Sequence, residues 1–307
     1  MNSAAAMTQR VWDAGRPVDL RATLGPLRRG THDPAHRLDA AGGFWMAADT
    51  PAGPGTVRLT AARTVVTGTA WGDGADWLLD RLPALVGAQD DWTGLDLAAV
   101  PPLGEVLRAR PGLRLTSTGL VMAALVPAVL EQKVTGEEAR RSWRLLLLRF
   151  GTPAPGPLAE LRVPPSPRAL LDLPTWEWHR LGVDLKRQRA IRAAASVASR
   201  VEECAAMAPD DAVARLRLIP GVGEWTAAET AQRAIGHPDA VSVGDYHLPN
   251  LVVHVFTGRA RGTDADMLDL LAPWVGQRQR VMRLVELTGR RAPRFGPRFN
   301  YTDIRAI

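Results

Sequence analysis

Apolar and polar positions follow one rhythm over the first third of the chain and another over the rest. GGFWMAAD, TVRLTAA and TVVTGTAW are short, β-branched or alternating runs broken by PAGPG and GDG, the pattern of strands joined by tight turns. DWLLDRLPALVGAQ follows with helical spacing. Residues 1–105 are therefore expected to form a small β-rich domain carrying one or two helices, with Pro101 and Pro102 as a linker out of it.

From about Gly104 the apolar period becomes helical, and several helix ends are marked. Thr135 with Glu138, ahead of EEARRSWRLLLLRF, fits a capping box. Ser166 followed by Pro167 fits an N-cap with proline at the first helical position. Gly182, Gly236, Gly258 and Gly289 stand where helical patterns stop, as left-handed terminal residues would. Residues 106–289 thus read as an all-α domain, and the fold class as α+β. The connection PAPGPLAELRVPPSP is too short for a flexible interdomain linker, and TWEW at 175–178 reads as helix-packing tryptophan. Residues 290–307 form a basic, proline-interrupted tail whose Arg290, Arg291, Arg294 and Arg298 either reach an anionic partner or stay solvated.

A length of 307 residues accommodates two domains and a sizeable core. Hydrophobic residues make up 46% of the chain, yet no run reaches the roughly 18 apolar residues of a membrane span, so a soluble protein without a membrane partner is expected. The start MNSAAAMTQRVW lacks the basic and long apolar regions of a secretion signal, which points to the cytoplasm, with nucleoid association in a bacterial cell. Cys204 is the only cysteine; an intrachain disulfide, an iron–sulfur cluster and a multi-thiolate zinc site are excluded. The six histidines have no metal-ligand spacing. A net charge of +6 and a pI near 10.5, carried by arginine far more than lysine, suit an anionic partner.

The chemistry-bearing stretch is LIPGVGEWTA at 218–227. Two glycines after a proline make a tight reversal between two helical patterns. The amides of Gly221 and Gly223 then lie at the start of the helix WTAAETAQRAIG, where orphan N–H groups and the helix dipole attract an anion such as one DNA phosphate. An ordinary helix–helix corner has the same local sequence.

The hairpin has company. L-x-P-G-V-G-x-x-T-A followed by V-S-V-G-D-Y-H resembles the signature of the helix–hairpin–helix DNA glycosylase superfamily, in particular the inducible 3-methyladenine DNA glycosylase (DNA-3-methyladenine glycosylase II) type. LVPAVLEQKVTGEEARRSW and LGVDLKRQRAIRAAA look like the segments that precede the hairpin in that family, and DLRATLGPLRRG is similar to the start of its β-rich extra domain. The likeness runs from about residue 112 to 256 and more faintly beyond.

The resemblance implies a small β-rich N-terminal domain before an all-α helix–hairpin–helix domain. It also implies hydrolysis of the N-glycosidic bond of a flipped, alkylated purine in double-stranded DNA. Asp245 would be the catalytic carboxylate, although aspartate at that place also caps the helical run that follows. A carboxylate beside the anomeric carbon stabilises the positive charge that develops on the sugar, and a cationic base leaves without much acid assistance. Trp225 stands where strand-cutting relatives carry a Schiff-base lysine, which implies a monofunctional enzyme whose tryptophan stacks on the base. Gly221, Val222, Gly223, Thr226, Gln132 and Lys133 would meet DNA. Backbone carbonyls of Arg217, Ile219 and Val222 would surround a structural monovalent cation, and no cofactor is implied for catalysis.

The chain also departs from that type. Glu229, one turn beyond Trp225, replaces an aromatic; it either faces the base pocket or lies on a solvated helix face. Lys133 follows Gln132 where an apolar wedge is usual, and either fills the gap with its aliphatic stem or contacts phosphate. The helix PWVGQRQRVMRLVELTG lacks the aromatic expected late in the family's last helix. His247, beside Asp245, reads as a surface residue. A non-catalytic DNA-binding module, or a glycosylase for uracil, hypoxanthine or an oxidised purine, remain alternatives. A monomer is expected, since one flipped base requires no dimer.

Overall fold

The computed structural model describes residues 7–293. Five antiparallel strands come first: β1 (Met7–Asp13), β2 (His36–Leu38), β3 (Phe44–Thr50), β4 (Gly53–Ala62) and β5 (Val65–Trp71), in the spatial order β1-β5-β4-β3-β2. Helix α1 (Leu20–Leu24) lies between β1 and β2, while α2 (Ala75–Asp80) and α3 (Leu82–Leu85) follow β5. Phe44, Met46, Val57 and Leu59 on one face of the sheet pack against Leu78, Leu79 and Leu82.

The other face is covered too. Trp45 and Ala47 pack against Leu161 and Val163, from a later hairpin of β6 (Thr152–Pro153) and β7 (Arg162–Val163). Burial on both sides explains why β3 is continuously apolar rather than alternating. Trp45 stacks on Trp71 beneath this cover, with centroids 5.4 Å apart. The proline-rich connection is therefore a lid on the sheet as well as a link between helices.

The remaining helices are α4 (Pro101–Ala109), α5 (Val121–Leu130), α6 (Gly136–Phe150), α7 (Pro167–Asp172), α8 (Thr175–Arg180), α9 (Leu185–Ser196), α10 (Ala198–Glu202), α11 (Pro209–Leu216), α12 (Glu224–Ala234), α13 (Leu248–Thr257), α14 (Asp264–Leu271) and α15 (Arg278–Leu287). Pro101 and Pro102, expected to be a linker, open α4: the first turn needs no amide donors, so proline fits there. The Thr135–Glu138 capping box and the Ser166 cap are formed. Gly182, Gly236, Gly258 and Gly289 all have positive φ. Of TWEW, Trp178 is fully buried as expected, whereas Trp176 is 64% exposed.

Two cores organise the helices. α5 is apolar on all sides and buried at the centre of the first, packed by α6, α9 and α12. The second joins Leu97, Val100, Leu103 and Leu113, from around α4, to Val252, Val255, Met267, Trp274 and Val281 from α13 to α15. The tail beyond residue 293, including Arg294 and Arg298, lies outside the described residues.

Asp33 fastens the sheet domain to the helices. One carboxylate oxygen accepts from the Ala35 amide and from the Trp143 indole of α6, the other from the Arg29 amide and the His36 ring. Burial pushes this carboxyl up, but His36 and the amides outweigh it and hold it below the ordinary range. A lowered native pKa contributes stability above the ordinary carboxylate value of about 4, which is lost as pH falls through the native value. Asp33→Asn is expected to cost about 2 kcal/mol at pH 7 and to flatten the acid limb of stability against pH. Urea unfolding at successive pH values would reveal both effects, and parallel acid limbs for the two proteins would contradict the assignment.

Candidate active site

The turn from α11 to α12 is built by main-chain bonds. The amides of Leu218, Ile219 and Val222 donate to the carbonyls of Arg215, Leu216 and Ile219. Ile219 and Val222 bury their side chains in the first core, leaving Leu218 82% exposed at the tip. Gly221 has φ +88°, and a Cβ there would lie 2.6 Å from the Cβ of Ala190 on α9, so both its conformation and its neighbour require glycine. Gly223 is the N-cap of α12 and gives no side-chain cap. The first amides of α12 thus point outward for an anion.

Gln132, in the loop after α5, locks this turn. Its side-chain amide donates to the Gly221 carbonyl at 2.9 Å and to the Thr226 hydroxyl at 2.8 Å. Gln132, Gly221 and Thr226 are therefore one cluster. Lys133, next in the loop, is exposed and has φ +54°, a sparsely populated conformation for a non-glycine residue. Of the three carbonyls expected around a cation, that of Ile219 already accepts the Val222 amide, leaving it one lone pair. Among the described residues no group of three His, Cys, Asp or Glu side chains could hold a metal ion.

Asp245 and Trp225 are in direct contact. One Asp245 oxygen accepts from the amides of His247 and Leu248, both at 2.8 Å, at the start of α13. The other accepts from the Trp225 indole at 3.1 Å. The capping bonds and the bond from Trp225 thus use the two oxygens of Asp245 separately. Both residues are half-buried, with Tyr246 beside them 75% exposed and His247 also at the surface. Asp239, outside the motif, is held by Arg278 at 2.5 Å.

Glu229 does not lie on a solvated face. Its carboxylate accepts from Arg233 at 2.8 Å and from the Ser242 hydroxyl at 2.6 Å. Burial pushes this carboxyl up, yet Arg233, Ser242 and Arg29 together hold it below the ordinary range. Arg29 in turn pairs with Glu131, immediately before Gln132, at 2.8 Å. Gln232 donates to the Ser242 hydroxyl and to the Ala240 carbonyl. Arg29, Glu131, Gln232, Arg233 and Ser242 were not singled out from the sequence. Positions 225, 229 and 232 or 233 share one face of α12, and that spacing was the available signal for the last turn.

A cavity of about 270 Å³ opens behind this network. Its walls come from Thr23 of α1 and the residues to Gly30 that follow, the extended segment 114–116, Glu131, Arg140 of α6, Gln232 and Arg233 of α12, and α15.

The fold is similar to those of several solved DNA glycosylases. A 3-methyladenine DNA glycosylase from Archaeoglobus fulgidus superposes with a TM-score of 0.74 at 14% identity, over 91% of this chain and 98% of that one. MBOgg1 in complex with a low-affinity DNA ligand gives 0.69 at 16%, over 92% and 95%. The Clostridium acetobutylicum 8-oxoguanine glycosylase/lyase, bound to duplex DNA with cytosine opposite the lesion, gives 0.67 at 9%, over 93% and 98%. No family model and no curated protein sequence matches the chain. At these identities the likeness establishes the fold.

Removing the Glu229 charge leaves Arg233 buried without its carboxylate. Glu229→Gln is expected to cost about 3 kcal/mol, as other broken buried pairs do. Denaturant titration at pH 7 measures it, and a loss below the scatter of surface substitutions, about 0.5 kcal/mol, would show that the pair carries no such load.

Proposed function

We propose that this protein is a monofunctional DNA glycosylase that binds double-stranded DNA, flips out a damaged base and hydrolyses its N-glycosidic bond, leaving an abasic site. The observation that carries the reading is the Trp225 indole bonded to Asp245 at the exit of the hairpin. It sets a carboxylate with a fixed orientation beside an aromatic face and an outward-pointing helix start.

In this reading the amides of Gly221, Gly223 and the first turn of α12 hold one phosphate, and a monovalent cation on the Arg217, Ile219 and Val222 carbonyls would strengthen that grip. Exposed Lys133 takes the gap left by the flipped nucleotide or a neighbouring phosphate. Extrusion costs a few kcal/mol, least at a damaged pair. Trp225 stacks on the extruded base. As the bond lengthens, Asp245 offsets the positive charge growing on the sugar and orients the water that adds to it.

Two lesion classes suit a single carboxylate. A cationic alkylated purine, the one implied by the resemblance, departs as a neutral molecule and gains from the Trp225 π-face. A neutral oxidised or deaminated base departs with the bonding pair as an anion and needs donors around it.

Strand cutting through a Schiff base needs a lysine near the sugar. The chain's only lysines are Lys133 and Lys186, and neither lies on α12. Borohydride added during turnover is expected to trap no protein–DNA adduct; a strong adduct band would overturn monofunctionality. Asparagine caps helices as well as aspartate, so Asp245→Asn should fold normally and lose at least about a hundredfold in base release. Alkali cleavage of lesion-bearing duplexes reads that loss. Equal rates for variant and wild type would rule out Asp245 as the catalyst, and duplex binding without any product would leave a non-catalytic DNA-binding module.

A further inference from the structure

The cavity behind α12 carries more positive charge than its own carboxylates offset. Six arginines line it against two glutamates. Arg29 pairs with Glu131, Arg283 with Glu286, and Arg233 with Glu229 from outside the wall. Arg28, Arg114 and Arg140, which also line it, have no carboxylate partner within ion-pair distance among the described residues. Arg28 donates to the Thr31 carbonyl at 2.7 Å and Arg114 to the Leu113 carbonyl at 2.6 Å, both uncharged acceptors.

Arg140 is freer still. Its side chain is exposed, at the mouth of the cavity, and makes no hydrogen bond among the described residues. It reaches the wall across Gly30, where φ is +88° and a Cβ would lie 2.5 Å from Arg140 Cδ. Glycine at that position keeps the path of this arginine open.

Guanidinium groups gathered in this way repel one another. Burial, followed by Arg233, pushes the Arg29 guanidinium below its ordinary value, with Glu131, Glu229 and Asp33 opposing. Burial does the same to Arg114, against Asp90 and Asp91, which stand outside the wall. An anion in the cavity relieves both.

We infer that this cavity is a binding site for a phosphate group, held by Arg28, Arg114 and Arg140. Neither Asp245 nor Trp225 lines it, so it is a second site, and the inference does not depend on the glycosylase reading. Phosphate oxygens are arranged tetrahedrally and meet guanidinium forks arriving from three separate segments, whereas a planar carboxylate is matched by one. A volume of about 270 Å³ is several times the roughly 30 Å³ share of a water molecule. The phosphate therefore enters with part of its hydration shell or with the sugar that carries it. Two sources share this chemistry: a free nucleotide and the backbone of a bound duplex.

Calorimetric titration of the full-length protein with inorganic phosphate and with deoxyadenosine monophosphate, at constant ionic strength, tests the site. Arg28→Gln and Arg140→Gln are compared with wild type and with Arg144→Gln, an exposed control on α6 outside the wall. Wild type and control are expected to bind saturably at one site, and each of the other two variants to bind about tenfold more weakly, the loss of one charge-assisted bond. Arg140 bonds to nothing among the described residues, so its variant should melt within a few degrees of wild type whatever Arg28→Gln does.

A second arm measures binding of an undamaged duplex at increasing salt. If a backbone phosphate occupies the cavity, Arg140→Gln lowers the slope of log affinity against log salt by about one relative to the control. If a free nucleotide does, the slopes agree and inorganic phosphate binds the duplex-bound protein as it binds the free one. Either result supports the site and names its source. No saturable phosphate binding together with equal salt slopes overturns it, as does phosphate binding that all three substitutions weaken alike. No arm uses a lesion or reads base release, so the failure of this site and the failure of the glycosylase reading are separate outcomes.

Discussion

The buried charge network of Arg29, Glu131, Glu229 and Arg233 ties together the sheet domain, the end of α5 and α12. Arg29 leaves the sheet domain, Glu131 ends the central helix α5, and Glu229 and Arg233 lie on α12. In a low-dielectric interior a guanidinium without its carboxylate is costly, so the segments dock in one arrangement or lose several pairings together. Ser242 extends the network to the loop that carries Asp245. The sheet domain, which supplies no candidate catalytic group, thereby positions the carboxylate.

Around that frame the glycine turn and the Trp225–Asp245 pair are fixed by direct bonds. Gln132 fastens the glycine turn, and Ala190 sets how closely α9 approaches it. Trp225 and Asp245 restrain each other across 3.1 Å. Sites held this way keep reacting groups in place without relying on loop order. The strained, exposed backbone at Lys133 follows directly on the Gln132 that fastens the turn.

Much of this was legible in the chain. Caps, terminal glycines, the glycine turn and the switch from strand to helix patterns are local features, each set by a few neighbouring residues. The role of Pro101 and Pro102 was not, because proline reads alike in a linker and in a first helical turn; only packing of Leu103 on the last helices decides it. Glu229 was hidden for a similar reason. A glutamate one turn past a tryptophan reads as solvated until a partner from 13 residues on, Ser242, and an arginine reached through the sheet domain close over it. The cavity was least visible, since its walls come from positions as far apart as 23, 116, 232 and 286 and meet only in three dimensions.

The second helical core has a consequence for how the chain acquires its final shape. Leu97, Val100, Leu103 and Leu113 wait for partners that lie some 140 to 180 positions later, from Val252 to Val281. Contacts so distant along the chain form late, after the more local first core has condensed. Asp245 sits at the threshold of this last-formed lobe. During synthesis the glycine turn and α12 can be shaped before the Asp245 carboxylate is fixed beside them.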